Sequence, residues 1–299
     1  MPNLTPILFT GFAAAIIAAI LFGVRELFDK YLTKSKKLPF STVLLGQYIS
    51  AIFFCLIFTL AQKQFTLNPL TIIYALIGAM VLSLGIYLHL KSITIEDFSL
   101  TLPFLSFTFV FLIPLEYVIF RQLPALPALV GIAAIMAGTF WLGYVESREK
   151  NIRWRLSKGS RLMLVVAFLY SLGGSFDKLG TLSASSLGYL FWSYTLIILI
   201  YLAVYGFSTK LNDLGKLFSG FKNNWLPFLA VGLIGTLGSW LLMNAYSVIL
   251  VNYAIAIKRA GLIIPIILGA FLFKEKNLLR RLPGVLLMLG GAVIIILFG

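Results

Sequence analysis

The dominant pattern along the chain is a series of long apolar runs separated by short polar or charged stretches. Each run approaches the length of about 20 residues that a helix needs to cross about 30 Å of hydrocarbon. Dividing the chain where charges, Pro, Gly or Asn cluster predicts ten membrane-spanning helices. Their approximate limits are 5–32, 39–61, 69–90, 98–120, 125–144, 161–182, 186–207, 225–247, 250–273 and 282–298. The first segment has no basic leader and no small-residue cleavage site, so we expect a retained helix and not a signal peptide.

Composition removes several classes of protein. The chain is 60% hydrophobic and 11% charged, which excludes an ordinary soluble domain. With one cysteine, Cys55, and one histidine, His89, it cannot form an internal disulfide or a zinc site built from Cys and His. The sequence contains no phosphate-binding loop, HExxH motif or GxSxG motif. We therefore predict that the chain is not an enzyme and carries no metal or other cofactor.

The net charge of +14 would suggest nucleic acid as a partner of a soluble protein, but here the charge follows the loops. Seventeen Lys and Arg residues lie in the loops after odd-numbered segments, whereas the loops after even-numbered segments hold only Lys63 and Arg121. By the positive-inside rule, the odd loops are cytoplasmic and both termini are external. We expect a multi-pass protein of a bacterial-type cytoplasmic membrane that does not bind nucleic acid.

The chain also divides into two similar halves. Residues 1–145 form a first set of five helices, 146–160 a basic loop, and 161–299 a second set within one membrane domain. The sequence Phe-Asp-Lys at 28–30 recurs at 176–178, and Gly131 and Gly138 have the same spacing as Gly284 and Gly291. Because five is an odd number, the second copy must enter the membrane from the opposite side. The predicted fold is all-α, with ten transmembrane helices in two inverted five-helix repeats.

Four charged residues lie near the predicted middle of the membrane. Arg25 and Glu26 precede the end of segment 1, and Lys258 and Arg259 follow the start of segment 9, each by about eight residues, or roughly 12 Å. An ionised group at such a depth costs on the order of 2.5 to 3.5 kcal/mol, so it needs a partner, water or a function. One interpretation makes Arg25-Glu26 a neutralised pair that extends toward the loop and Lys258-Arg259 a basic pair at a loop edge. The other places them around a polar cavity, where an adjacent Lys and Arg would bind a carboxylate or phosphate.

Other polar residues within the segments are candidates for coupling transport to a proton gradient. Glu26 is the first, Glu116 either pairs with Arg121 or faces the cavity, and His89 titrates near neutral pH but favours an interfacial role. For Asp29-Lys30 and Asp177-Lys178, near the ends of segments 1 and 6, we predict a structural role at helix ends.

Small and aromatic residues complete the candidate list. We interpret Gly232, Gly235, Gly238, Gly284, Gly290 and Gly291 as sites of close helix packing. Pro103, Pro114 and Pro265 interrupt segments 4 and 9. The aromatic residues that could line a cavity are Tyr87, Phe104, Phe107, Tyr170, Trp192, Tyr194, Trp240 and Tyr253, of which Tyr87, Trp240 and Tyr253 join the predicted substrate-binding set.

In its ten helices, its inverted halves and the sequence Phe271-Leu272-Phe273-Lys274-Glu275-Lys276, the chain resembles the EamA family of the drug/metabolite transporter superfamily. The first half departs from the family pattern at Phe120-Arg121-Gln122, which has no glutamate. Lys258-Arg259 is also similar to the lysine and arginine with which plastid sugar-phosphate translocators of this superfamily hold phosphate. The resemblance implies a secondary carrier with a central cavity, alternating access and no ATP hydrolysis.

Together these features predict a secondary active transporter of a small polar metabolite, anionic in one version of the hypothesis, such as an amino acid or an organic phosphate. Its coupling would be to protons or by exchange, with Arg25, Glu26, Lys258 and Arg259 at the substrate site. The expected partners are that metabolite and membrane lipid, with a homodimer left open. The alternative is a lipid-handling or interaction protein, similar to a scramblase, with no solute transport.

Overall fold

The structure is a computed structural model that describes residues 4–96, 101–149, 157–208, 221–264, 268 and 278–299. Every regular element in these residues is helical. In chain order the α-helices are α1 Leu4–Lys30, α2 Phe40–Ala61, α3 Pro69–Ile95, α4 Thr108–Phe120, α5 Leu126–Glu149, α6 Lys158–Ser183, α7 Ser186–Ser208, α8 Trp225–Val248, α9 Val251–Ala260 and α10 Leu278–Phe298. A π-helical turn, Tyr31–Ser35, follows α1, and a 3-10 helix, Leu102–Phe107, precedes α4.

Nine helices of the described chain are long and apolar enough to cross a membrane. Large apolar side chains cover their outer surface, as at Phe9, Leu126 and Leu279, which are exposed in the absence of lipid. A helix satisfies its own backbone hydrogen bonds, which is the condition for crossing hydrocarbon. The prediction of an all-α, multi-pass integral membrane protein is confirmed.

Segment 9 is only partly described. Helix α9 ends at Ala260, in the first half of the predicted span 250–273, and Pro265 and the Phe271–Lys276 motif lie outside the described residues. The central basic stretch 150–156 lies outside them as well. The span predicted at 250–273, and with it the total of ten spans, therefore stays a prediction.

Local signals in the sequence explain several helix ends. Asn68 accepts a hydrogen bond from the backbone N–H of Leu70 at 3.0 Å, and Pro69 begins α3, a favourable pair at a helix start. Ser157 caps α6 by accepting from the N–H of Ser160 at 3.2 Å. Arg121 ends α4 in the left-handed conformation, with φ of 55°. Helices α3 and α5 each continue five residues beyond the predicted limits, to Ile95 and Glu149, because polar residues at a membrane surface do not stop a helix. Helix α4 begins only at Thr108, after the 3-10 helix.

Helices from the two halves of the chain pack against each other throughout. The most extensive contacts join α5 with α10, α3 with α6, and α1 with α8, followed by α2 with α8 and α3 with α7. Helix α9 packs on α1. The interior is thus built mainly between the halves.

Glycine allows the closest of these contacts. A Cβ on Gly131 would lie 2.6 Å from the carbonyl oxygen of Gly291, and one on Gly138 would lie 2.5 Å from that of Gly284. Because the obstacle is backbone, it cannot move aside, and only glycine fits. The packing prediction is wrong for Gly290, where a Cβ would meet nothing within 4 Å.

A second close approach brings α1 to the end of α9. A Cβ on Gly23 would lie 2.6 Å from the carbonyl oxygen of Gly261, and one on Gly261 would collide with the backbone of Ala19. This contact fixes the distance between the two helices that carry Arg25 and Lys258.

Candidate functional site

A cavity of about 200 Å³ lies among helices of both halves. Its charged residues are Arg25 from α1, Asp177 from α6 and Lys258 from α9. The other lining residues are Phe22, Gln47, Tyr48, Ala51, Leu82, Leu190, Ser193, Tyr194, Ile197, Val231, Gly235, Ser239, Leu242, Met243 and Tyr246. Seven helices therefore contribute to one partly open cavity with a mixed polar and apolar lining.

Arg25 is held in place by polar residues of α1 and α2. Its Nη2 donates a hydrogen bond to Oε1 of Gln47 at 2.6 Å, and its Nε lies 3.8 Å from Oδ2 of Asp29, one helical turn along. Gln47 in turn donates to Asp29. A Cβ on Gly235 would lie 3.2 Å from Nη1 of Arg25, so this glycine leaves space for the guanidinium.

Lys258 has a different environment. Its Nζ lies 3.9 Å from the centre of the Phe22 ring, a cation–π contact. Within the part of the chain that the structure describes, its ammonium makes no hydrogen bond and no ion pair within 4.0 Å. Arg25 and Arg259 are like-charged electrostatic neighbours of Lys258, whereas Asp177 and Glu26 are oppositely charged ones.

Asp177 is the carboxylate of the cavity. Its Oδ1 accepts a hydrogen bond from the hydroxyl of Tyr189 at 2.8 Å, and Tyr189 is fully buried. Asp177 lies six residues before the end of α6, about 9 Å inside the helix. The sequence suggested a structural residue at a helix end, but the packing of α6 turns it toward the cavity.

The predicted substrate residues divide into two groups. Arg25 and Lys258 line the cavity, whereas Glu26, Arg259, Tyr87, Trp240 and Tyr253 are not among its lining residues. Glu26 and Tyr87 are exposed, and Glu26 has Arg25, Lys258 and Arg259 as electrostatic neighbours. The hydroxyl of Tyr253 accepts a hydrogen bond from the N–H of Ala125 at 2.7 Å. Trp240 packs against the main hydrophobic core.

Arg25 and Glu26 do not form the neutralised pair that one interpretation of the sequence offered. The carboxylate near Arg25 is Asp29, and within the described residues Glu26 makes no ion pair. Adjacent residues of a helix point about 100° apart, which separates the two side chains. Arg259 remains an electrostatic neighbour of Glu26.

Glu116 joins the two halves away from the cavity. It is fully buried, and its Oε1 accepts hydrogen bonds from the backbone N–H groups of Val251 at 2.6 Å and Asn252 at 3.4 Å. It thereby caps the N-terminus of α9. The side chain of Asn252 donates to the carbonyl of Phe109 at 3.1 Å, a second bond between α4 and α9. The proposed pairing of Glu116 with Arg121 is absent from the described contacts of the two residues.

Lys178 reinforces the same junction. Its Nζ donates to the carbonyl of Ile249 at 3.2 Å and to Oε1 of Gln122 at 3.0 Å, and it lies 4.8 Å from the centre of the Phe120 ring. Lys178 therefore binds the C-terminal cap of α8, whereas the sequence predicted a role at the end of its own helix.

His89 and Tyr170 form a contact between α3 and α6, with Nδ1 of the imidazole 3.2 Å from the hydroxyl oxygen. Neither residue lines the cavity. Across the described residues, there is no group of three or more His, Cys, Asp and Glu side chains that could hold a metal ion.

Sequence reasoning missed several polar residues of the site, among them Asp177, to which it gave a structural role, and Gln47. The signal for Gln47 was present, because it is an amide within the apolar run 39–61. Tyr194, from the wider list of aromatic candidates, does line the cavity and packs edge-on against Tyr48 with ring centres 5.5 Å apart.

Comparison with known proteins defines the fold only. A solved structure described as a crystal structure of a protein superposes with a TM-score of 0.68 at 11% identity, covering 98% of this chain and 97% of that one. No protein-family model matches the chain, and no curated protein sequence matches it. The class defined by the fold is a helical, multi-pass integral membrane protein.

Proposed function

We propose that the chain is a secondary transporter that moves a small polar metabolite with an anionic group across the membrane by alternating access. The observation that carries the proposal is the cavity in which Arg25 and Lys258 meet between the two halves. Placing two cations at membrane depth costs free energy, so such residues usually have a function. The carboxylate or phosphate of a solute would neutralise the charge of Lys258. On the same basis, we propose membership of the drug/metabolite transporter superfamily.

The contacts of α5 and α10 support the inverted repeat that such a carrier needs. In the proposed alignment Gly131 corresponds to Gly284, and Gly138 corresponds to Gly291. Exchanging the halves then converts the contact of Gly131 with Gly291 into the contact of Gly284 with Gly138, and both contacts are observed. A two-fold axis between α5 and α10 accounts for this exchange.

The same exchange relates other helix pairs. It converts the packing of α1 on α8 into that of α6 on α3, and the packing of α2 on α8 into that of α7 on α3. This pattern favours ten helices in two five-helix repeats of opposite orientation, with residue 250 onward forming the ninth span.

Alternating access requires contacts that can break on one side of the site. The bonds from Glu116 to the start of α9 and from Lys178 to Ile249 are suitable, because they join helices of both halves. Val251 precedes Lys258 by seven residues, so the backbone at this junction lies about 10 Å along α9 from the backbone of Lys258. Proton coupling through Glu26, Glu116 or His89, and exchange coupling, belong to this proposal as hypotheses.

Uptake into liposomes that contain the purified full chain tests the proposal. The solutes are amino acids, organic phosphates, nucleosides and quaternary amines, each labelled. We expect saturable uptake of at least one anionic or zwitterionic solute, lost in Lys258→Met and retained in Lys158→Met, a matched change at an exposed position.

Lipid scrambling without solute flux would instead support the lipid-handling alternative. A product chemically different from the added solute would indicate an enzyme. Either result would overturn the carrier.

A further inference from the structure

The charges that line the cavity define its ligand more narrowly than an anion site would. The three charged side chains that line it are two cations, Arg25 and Lys258, and one carboxylate, Asp177. Arg25 already has a carboxylate close by, because Asp29 lies 3.8 Å from its Nε and is linked to it through Gln47. Asp29 therefore offsets part of the charge of Arg25, and the charged lining residues without an ion pair in the described chain are one cation, Lys258, and one carboxylate, Asp177.

These two charges do not satisfy each other. Lys258 and Asp177 are electrostatic neighbours but form no ion pair within 4.0 Å. Within the described chain, the Phe22 ring is the one close partner of the Lys258 ammonium, and Oδ2 of Asp177 has no hydrogen-bond partner. Each group is costly at this depth while it is unpaired, and a ligand that bridges them would relieve both costs.

Ligands with one kind of charge fit less well. A purely anionic solute beside Lys258 would share a small cavity with the carboxylate of Asp177. A purely cationic solute beside Asp177 would be repelled by Lys258 and Arg25. Only a molecule with both an ammonium and a carboxylate complements the three groups together.

The volume of the cavity and its apolar lining narrow the class of ligand. A volume of about 200 Å³ equals roughly seven water molecules, which suits a small metabolite. Apolar side chains such as Leu190, Ile197 and Leu242 line part of the cavity and would cover a hydrocarbon substituent.

We propose that the cavity binds a small zwitterion of the amino acid type, with its ammonium on Asp177, its carboxylate on Lys258 and the nearby guanidinium of Arg25, and its substituent on the apolar wall. This inference rests on the proposed transport function and names its substrate class. It makes Asp177 the residue that selects zwitterions over simple anions.

Calorimetric titration of the purified full chain tests the assignment. The protein amino acids are first screened by thermal stabilisation, and the tightest-binding one is compared with its deaminated acid and its decarboxylated amine. For leucine these probes are 4-methylpentanoate and 3-methylbutylamine. Because a charge-assisted hydrogen bond is lost in each case, we expect both probes to bind about ten- to hundredfold more weakly than the amino acid.

Two variants assign the two ends of the ligand. Asp177→Asn keeps an acceptor for Tyr189, and it should reduce the preference for the amino acid over the deaminated acid to less than about threefold. Lys258→Met should reduce the preference for the amino acid over the decarboxylated amine to less than about threefold. Lys158→Met, which changes an exposed charge, and Glu149→Gln, which removes a charge paired with Arg281, both lie outside the cavity and should preserve both preferences. Each preference is a ratio within one variant, so partial unfolding does not mimic the effect.

The outcomes separate this inference from the transport proposal. Equal binding of the amino acid and its deaminated acid, or an unchanged preference in Asp177→Asn, would overturn the assignment of a zwitterionic ligand. Transport of an organic phosphate such as glycerol 3-phosphate without binding of any amino acid would also overturn it while leaving the carrier intact. No uptake of any solute in the liposome assay would contradict both the transport proposal and the substrate class that rests on it.

Discussion

The carboxylate of Glu116 in α4 accepts the backbone N–H of Val251 at 2.6 Å, so a side chain of the first half caps the first turn of a helix in the second half. The first N–H groups of a helix have no partner within it, and in a membrane interior water does not replace one. A short helix that begins inside the protein therefore depends on a residue far away in the sequence.

Replacing Glu116 tests this dependence. Glu116→Ala removes the acceptor of the N–H groups of Val251 and Asn252 and should lower the free energy of unfolding by about 1 to 3 kcal/mol. Glu116→Gln retains a carbonyl acceptor and should lower the free energy of unfolding by less. Thermal unfolding in detergent measures both, and equal losses in the two variants would show that the cap does not act through its acceptor oxygen.

The contact of α5 with α10 should tolerate no added methyl group. We expect Gly138→Ala to cost about 1 to 3 kcal/mol, because its Cβ would lie 2.5 Å from the carbonyl oxygen of Gly284. Gly290→Ala is the matched control on α10 and should stay within about 0.5 kcal/mol of the parent chain, since nothing lies within 4 Å of its Cβ. Comparable losses at both glycines would mean that the two helices do not meet as described.

The position of the Arg25 guanidinium should depend on Gln47, whose Oε1 accepts its hydrogen bond at 2.6 Å. Gln47→Met should raise the KM for the transported solute by about tenfold, the effect of one lost hydrogen bond to a charged group. Concentration-dependent uptake in liposomes gives the KM. Gln62→Met, at an exposed position outside the cavity, is the control, and a KM shift shared by both variants would contradict a specific role for Gln47.

The asymmetry of loop charge predicts the orientation of the chain, and Cys55 makes the test direct. This single cysteine is completely buried, so it should not react in the folded protein. A membrane-impermeant maleimide added outside intact cells should label Lys63→Cys, whereas Lys91→Cys should react only after permeabilisation. The reverse labelling would place both termini in the cytoplasm.

Much of the helix pattern was predictable because membrane thickness sets the length of a span. The limits of α2, α7 and α8 agree with the predicted segments within one residue. The ends of α3 and α5 were less predictable, because helices continue through polar residues once they leave the hydrocarbon.

The site was predictable only in part, for a reason seen in two neighbouring pairs. Depth along a helix follows from counting residues, which singled out Arg25-Glu26 and Lys258-Arg259. The direction of each side chain depends on how the helix is rotated against its neighbours, and that rotation placed Arg25 and Lys258 at the cavity but left Glu26 outside its lining.

The sequence alone determined that this is a helical membrane protein and which charges lie at membrane depth, because hydrocarbon thickness and the cost of burying charge act on each segment separately. Only the tertiary structure decided which of those charges meet. Close approaches such as that of Gly23 and Gly261 bring Arg25, Asp177 and Lys258 from three helices to one cavity, and such contacts between distant segments leave no periodic signal in the chain.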